Sequence, residues 1–163
     1  MAMVGIVFGS DDGYAEDAAE YIGKSFDSEI IDAQDLNEDF LAKYKKLIFV
    51  ASTHRYGELQ KDFKAKLELL AETDFVGKTL ALVGLGGQEK HPETFCDCLV
   101  EFLPVIRGAK LIGAYEDPGY NYQFSLSFIN GKFVGLVLDL KADQYWKEKV
   151  DRWVIDVKKD FKD

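Results

Sequence analysis

The sequence predicts one doubly wound α/β domain over residues 1–163, built on a five-stranded parallel sheet in the order 2-1-3-4-5. Three observations carry this expectation. Short apolar runs alternate with amphipathic helical stripes about five times along the chain. A length of 163 residues suits a single hydrophobic core. A composition of 47% hydrophobic and 13% aromatic residues, with three prolines, supplies that core and is far from a disordered profile.

Met3–Phe8, Leu47–Ala51 and Leu80–Gly84 are continuous apolar runs, the pattern of parallel strands buried on both faces. Glu29–Asp32 is a weaker, edge-type strand. Ala15, Ala18, Ala19 and Ile22 keep the three-and-four spacing of a helix, as do Phe63, Leu67 and Leu70, and then Phe95, Leu99, Phe102, Leu103 and Ile106. The clearest stripe is Trp146, Val150, Trp153, Val154, Val157 and Phe161, which assigns both tryptophans to the core. This alternation implies right-handed crossovers with helices on both faces of the sheet. Residues Glu116–Asn130, rich in Gly, Asn, Asp and aromatics, lie between the apolar runs Lys110–Gly113 and Phe133–Val137 and read as an insertion that splits the last strand.

With 29 acidic against 20 basic residues the formal net charge is −9, which disfavours a nucleic-acid or anionic-membrane surface and favours partner proteins with basic docking surfaces. No stretch approaches the roughly 20 apolar residues of a membrane span. The segment Met1-Ala2-Met3-Val4-Gly5 carries no basic leader, so the expectation is a cytoplasmic monomer. Cys96 and Cys98 fall two apart within a helical pattern and would point to nearly opposite sides, so neither a disulfide nor a metal clamp is expected.

In such sheets ligands bind beyond the carboxyl ends of the strands, where the strand order reverses. The loops after Phe8, Ala51 and Gly84 are therefore the ones to read. The first, Gly9-Ser-Asp-Asp-Gly-Tyr-Ala15, leads directly into a helix. A glycine turn at a helix N-terminus offers free N–H groups and the positive end of the dipole to a phosphate, although Ser and Asp there also read as plain N-caps.

Taken together, Gly9-Ser-Asp-Asp-Gly-Tyr-Ala-Glu16, Thr53-His-Arg-Tyr-Gly-Glu-Leu-Gln60 and Gly84-Leu-Gly-Gly-Gln-Glu-Lys-His-Pro-Glu-Thr-Phe-Cys-Asp97 resemble the phosphate loop and the two isoalloxazine loops of flavodoxins. Order and spacing match over essentially the whole chain, and the split last strand is similar to the extra loop of long-chain flavodoxins. The resemblance implies a flavodoxin-like fold and tight, non-covalent FMN. It also implies low-potential one-electron transfer by a carrier protein, not an enzyme, through a partly exposed flavin edge that acidic residues dock onto basic redox partners. It assigns cofactor contacts to Ser10, Asp11, Asp12, Gly13, Tyr14 and Ala15 in the first loop. In the middle loop it assigns Ser52, Thr53, His54, Arg55, Tyr56 and Gly57, the last matching the glycine that makes the flip of a middle-loop carbonyl toward flavin N5 inexpensive in the family. In the third it assigns Gly84, Leu85, Gly86, Gly87, His91 and Cys96.

The departures from the family pattern fall on these same positions. Asp12 stands where Ser or Thr donates a hydroxyl to the phosphate, and Tyr14 where a residue such as Asn or Lys is usual. His54 matches the flavin-stacking tryptophan and His91 the stacking tyrosine, so the chain's two histidines occupy both stacking positions. Gly87 replaces a common carboxylate. A pocket so altered is less acidic and less aromatic, and would stack a flavin more weakly. At Asp12 a donor is lost and like charge gained: two unit charges about 5 Å apart at an effective dielectric of about 20 repel by about 3 kcal/mol, roughly a hundredfold in affinity. Relief would need Arg55 to reach across, or a proton bound along with the phosphate.

An alternative is a flavodoxin-like paralogue that has lost or exchanged FMN and acts as a binding or interaction module. A phospho-acceptor receiver domain using Asp11 and Asp12 would need an aspartate at the end of the third strand, where Ser52-Thr53-His54 stands. A flavin reductase would need a nicotinamide site, for which the loops show no fingerprint, although His54 and His91 supply imidazoles of the kind used in proton transfer.

Overall fold

The computed structural model describes residues 3–54 and 56–162. Strand β1 (Val4–Gly9) is buried at every position, as an unbroken apolar run requires of a central parallel strand. Gly13, at φ +92°, turns the chain into helix α1 (Tyr14–Gly23), which lays Ala15, Ala18, Ala19 and Ile22 on the sheet. Strand β2 (Ser28–Asp32) is only partly buried, consistent with an edge. A 3-10 turn (Ala33–Asp35) leads to the short α2 (Glu38–Lys43), whose first turn is capped by the Asn37 side chain accepting the Phe40 N–H.

Strand β3 (Lys46–His54) follows, and β4 (Glu58–Leu59) folds back antiparallel on its end. Then come α3 (Lys61–Lys64), α4 (Leu67–Glu72) and β5 (Thr79–Leu85). Strand β6 (Lys110–Ile112) pairs with Thr79–Ala81 of β5. The chain next makes an excursion that carries its own hairpin, β7 (Phe128–Ile129) with β8 (Lys132–Phe133). It returns as β9 (Leu136–Leu138), pairing with Val83–Leu85 of the same β5. The parallel sheet thus runs β2-β1-β3-β5 with β6 and β9 sharing the last place, which is the expected order with its last strand split in two. Helix α5 (Trp146–Lys162) packs beside α1.

Three expectations are corrected. Phe133 does not begin the returning strand; it pairs with Phe128 and bridges Tyr115, and the strand starts at Leu136. The stripe Phe63, Leu67, Leu70 breaks between α3 and α4. The stripe Phe95–Ile106 is not an α-helix but two 3-10 turns, Asp97–Glu101 and Leu103–Val105. Cys96 enters the first turn in a left-handed conformation (φ 52°), and Pro104, lacking an N–H, cannot sustain an α-helical ladder. Cys96 and Cys98 consequently share one core cluster, both unbridged, instead of lying on opposite sides of a helix.

Alternation along β3 feeds two core layers: Phe49 and Ala51 point to the side of α3 and the 3-10 turns, Ile48 and Val50 to the side of α1 and α5. In the first layer the rings of Phe49, Phe63 and Phe102 meet pairwise with centroids 5.0–5.5 Å apart. In the second, Trp153 is buried and its Nε1 donates to the Gly113 carbonyl at 2.9 Å. Removing the Phe102 ring strips both partners of a fully buried neighbour. Phe102→Ala is therefore expected to lower the unfolding free energy by about 3–5 kcal/mol in urea titrations, and a loss under about 1 kcal/mol would contradict this packing.

Candidate functional site

The carboxyl ends of β3, β5 and β9 and the start of α1 meet at a cleft of about 580 Å³, within the range of about 300–1,000 Å³ typical of small-ligand sites. Asp12 and Tyr14 line it from the start of α1, Ser52 and Thr53 from the end of β3, and Leu85, Gly86, Gly87 and His91 from the turn after β5. All of these stand among the residues expected from the sequence. Glu89, Lys90 and the segment Asp139–Ala142 also line the cleft and were missed. The signal existed: β9 runs parallel to β5, so the loop after it must open on the same edge of the sheet. Asp139 fixes that loop to its neighbour, accepting the N–H of Gln88 at 3.1 Å and of Ala142 at 3.2 Å.

The other expected residues shape the cleft without lining it. Ser10 accepts the Gly13 N–H at 2.9 Å and Ala15 is fully buried under the first loop. Asp11 faces the middle loop, where its Oδ2 lies 3.1 Å from His54 Nδ1 and its Oδ1 accepts from Gln60 Nε2 at 3.1 Å. Asp12, its neighbour, instead accepts the Tyr14 N–H at 3.1 Å. Tyr56 is 87% exposed at the loop tip. Gly84 packs on Leu99, and Cys96 is fully buried with its sulfur behind Gly86, supporting the third loop from the core side. Arg55 lies outside the described residues.

Gly57 is held at φ +85°, and a Cβ on it would come within 2.9 Å of Asp97 Cβ. Only glycine satisfies both conditions. Asp97 is itself buried, and desolvation raises its carboxyl above the usual carboxylate range despite the Leu126 N–H donated to Oδ1 at 2.8 Å. Burial likewise pushes the Cys98 thiol up to about 12 and the Cys96 thiol well up, so both sulfurs stay protonated and inert.

The Ser52 hydroxyl is buried and has no hydrogen-bond partner among the described residues. Leaving such a group unpaired costs about 1–3 kcal/mol. Ser52 is also one of the residues that line the cleft. An anion-favouring helix start and an unpaired hydroxyl within one small-ligand-sized cleft fit a ligand carrying both a phosphate and hydroxyls.

The flavodoxin family profile matches residues 6–103. The chain belongs to the flavodoxin family. It is similar to the flavodoxin of Helicobacter pylori, at 36% identity with 99% of each chain covered. Flavodoxin 1 of Escherichia coli K12 is also 36% identical, over 94% of this chain and 92% of that one. Among solved structures, the Fusobacterium nucleatum flavodoxin bound to flavin mononucleotide superposes with a TM-score of 0.92 at 27% identity, covering 98% of this chain and 99% of that one. Flavodoxin loops and cleft therefore coincide in this chain.

Two outcomes test this geometry. Gly57→Ala should lose about 1–3 kcal/mol of stability in thermal unfolding, more than Gly13→Ala, because Gly13 has open space where Gly57 has Asp97. For Asp97 the raised folded-state pKa sets the sign: its relative stabilisation is present below the unfolded pKa and lost as pH rises through the folded one. Asp97→Asn keeps the Oδ1 acceptor for Leu126, so the variant should be more stable than the parent at pH 7, with the gain vanishing in acid denaturation series near about pH 3.

Proposed function

We propose that residues 1–163 form one flavodoxin domain that holds FMN non-covalently and acts as a low-potential one-electron carrier. The observation that carries this is the coincidence of the cleft with the point where the strand order reverses, between the end of β1, whose loop carries Asp12, and the end of β3, which carries Ser52. A bound flavin supplies the one-electron chemistry. The chain's own residues bind and orient it: the first loop and the start of α1 face its phosphate end, Ser52 stands at the ribityl chain, and the middle and third loops enclose the ring. The site residues of the sequence reading are retained on this view with two changes: Cys96 acts from beneath, and the loop Asp139–Ala142 is added.

The formal charge of −9 supports docking on redox partners with basic surfaces, and we propose a cytoplasmic monomer. No helix among the described residues is long and apolar enough to cross a membrane. Electron-transfer proteins of this family exchange electrons with partners rather than transforming a substrate, so the chain is not proposed as an enzyme.

Purified protein should be yellow and release a species of FMN mass in native mass spectrometry. Colourless protein that takes up no flavin on incubation would overturn the proposal in favour of an interaction module. The ring environment adds a second outcome. Gly87 carries no carboxylate, and Lys90 and Lys141 offset Glu89 and Asp139 in the lining, so the negative charge that reduction places on the ring is repelled less. The lower of the two one-electron potentials should be less negative than that of the E. coli K12 flavodoxin 1 titrated alongside; a more negative value would contradict the charge assignment.

A further inference from the structure

We infer that Asp12 sets the ligand preference of the cleft: its carboxylate takes the place of the ligand phosphate at the start of α1, so the chain binds riboflavin nearly as well as FMN. This deepens the flavin reading above and rests on it.

Helix α1 is ten residues long and begins at the first ligand loop. Two of the N–H groups at this helix start, those of Gly13 and Tyr14, are already engaged by the loop itself. Tyr14 N–H donates to Asp12 Oδ1 at 3.1 Å, and Gly13 N–H donates to Ser10 Oγ at 2.9 Å. A carboxylate against these groups does what a bound anion does, accepting the free N–H and answering the positive end of the helix dipole. A phosphate can enter only by displacing Asp12, and the displaced carboxylate then stands beside a dianion.

Nothing among the described residues neutralises Asp12. The one ion pair in this loop belongs to Asp11, with His54. Lys90 and Lys141 line the same cleft, yet neither forms an ion pair with Asp12. Glu89 and Asp139 add further negative charge to the lining.

A second feature points to the class of ligand. Ser52, 8% exposed, lines this cleft and carries a buried hydroxyl with no partner among the described residues. Asp12 Oδ2 has no partner among the described residues, so the lining offers a hydroxyl and a carboxylate acceptor together. Polyol hydroxyls can donate to the carboxylate and either donate to or accept from the serine, whereas a phosphate repels the first. The ribityl chain common to riboflavin and FMN is such a polyol.

The experiment is flavin fluorescence quenching at pH 7 with FMN and with riboflavin, on flavin-free wild type, Asp12→Thr and Asp12→Asn, each checked for folding by circular dichroism. Wild type should bind the two flavins within about tenfold of each other, and Asp12→Thr should tighten FMN by at least about tenfold while shifting riboflavin less than about threefold. Asp12→Asn, which keeps a capping oxygen without the charge, should tighten FMN alone by an intermediate factor. Wild type that prefers FMN by about a hundredfold or more, or substitutions that move both flavins equally, would overturn the inference while leaving the flavin reading intact. No quenching by either flavin on any of the three proteins would overturn the flavin reading and the inference with it.

Discussion

A fully buried amide has to find all its hydrogen bonds inside the protein, and Gln60 finds them in the two loops that frame the cleft. Its Nε2 donates to Asp11 of the first loop at 3.1 Å and to Asp62 at 2.8 Å. Its Oε1 accepts the N–H groups of Asp62 at 3.0 Å and Phe63 at 3.1 Å, capping α3. Its own N–H donates to the Ser52 carbonyl at the end of β3. One side chain thus fixes the end of β3, the start of α3 and the orientation of Asp11. Because Asp11 is held from this side and by His54, it leaves the helix start to Asp12. Two adjacent carboxylates acquire opposite tasks from their partners alone.

The same economy of buried polar groups anchors the excursion between β6 and β9. Asp97, seated under Gly57, accepts the Leu126 N–H, and Ser127 Oγ donates to the Cys96 carbonyl at 2.6 Å. Tyr122 stacks on Phe95 with centroids 5.2 Å apart. At the far side Asp143 accepts from Tyr120 and Lys149, each at 2.6 Å, which ties the excursion to α5 and holds the Asp143 carboxyl low against its own burial. The excursion therefore buttresses the third loop from behind, and the position of that loop over the cleft depends on a segment that contributes no lining residue.

Much of this was legible in the sequence because parallel strands buried on both faces must be apolar throughout, so β1, β3 and β5 announce themselves. The split of the last strand was legible for a similar reason, as a polar, glycine-rich tract between two apolar runs. The 3-10 turns near residues 97–105 were not, since an apolar spacing of three and four serves α and 3-10 geometry alike and only Pro104 and the left-handed Cys96 decide between them. Asp12, Ser52 and His91 line the cleft, and their loops were legible because each follows a recognisable strand or opens a helix. Asp139–Ala142 escaped because β9 is only three residues long and its register is set by pairing, which no local pattern encodes. Gln60 escaped for a deeper reason: a glutamine in a polar loop reads as solvated, and its burial is decided by the contacts around it.

The His54 imidazole bonds to Asp11 and so joins the middle loop to the first. At roughly one-third exposure of both partners the pair is worth little as a surface ion pair, on the order of 0–1 kcal/mol, so its consequence is geometric more than energetic. Asp12 acts in the same sense, its carboxylate accepting the Tyr14 N–H within the first loop whether or not a ligand is present. A ligand that binds only the folded state adds stability in proportion to the logarithm of its excess over Kd, and part of that gain ordinarily comes from ordering its loops. Here the Asp11–His54 and Asp12–Tyr14 contacts already tie first-loop residues within the chain, so a ligand that displaces them forfeits part of that gain.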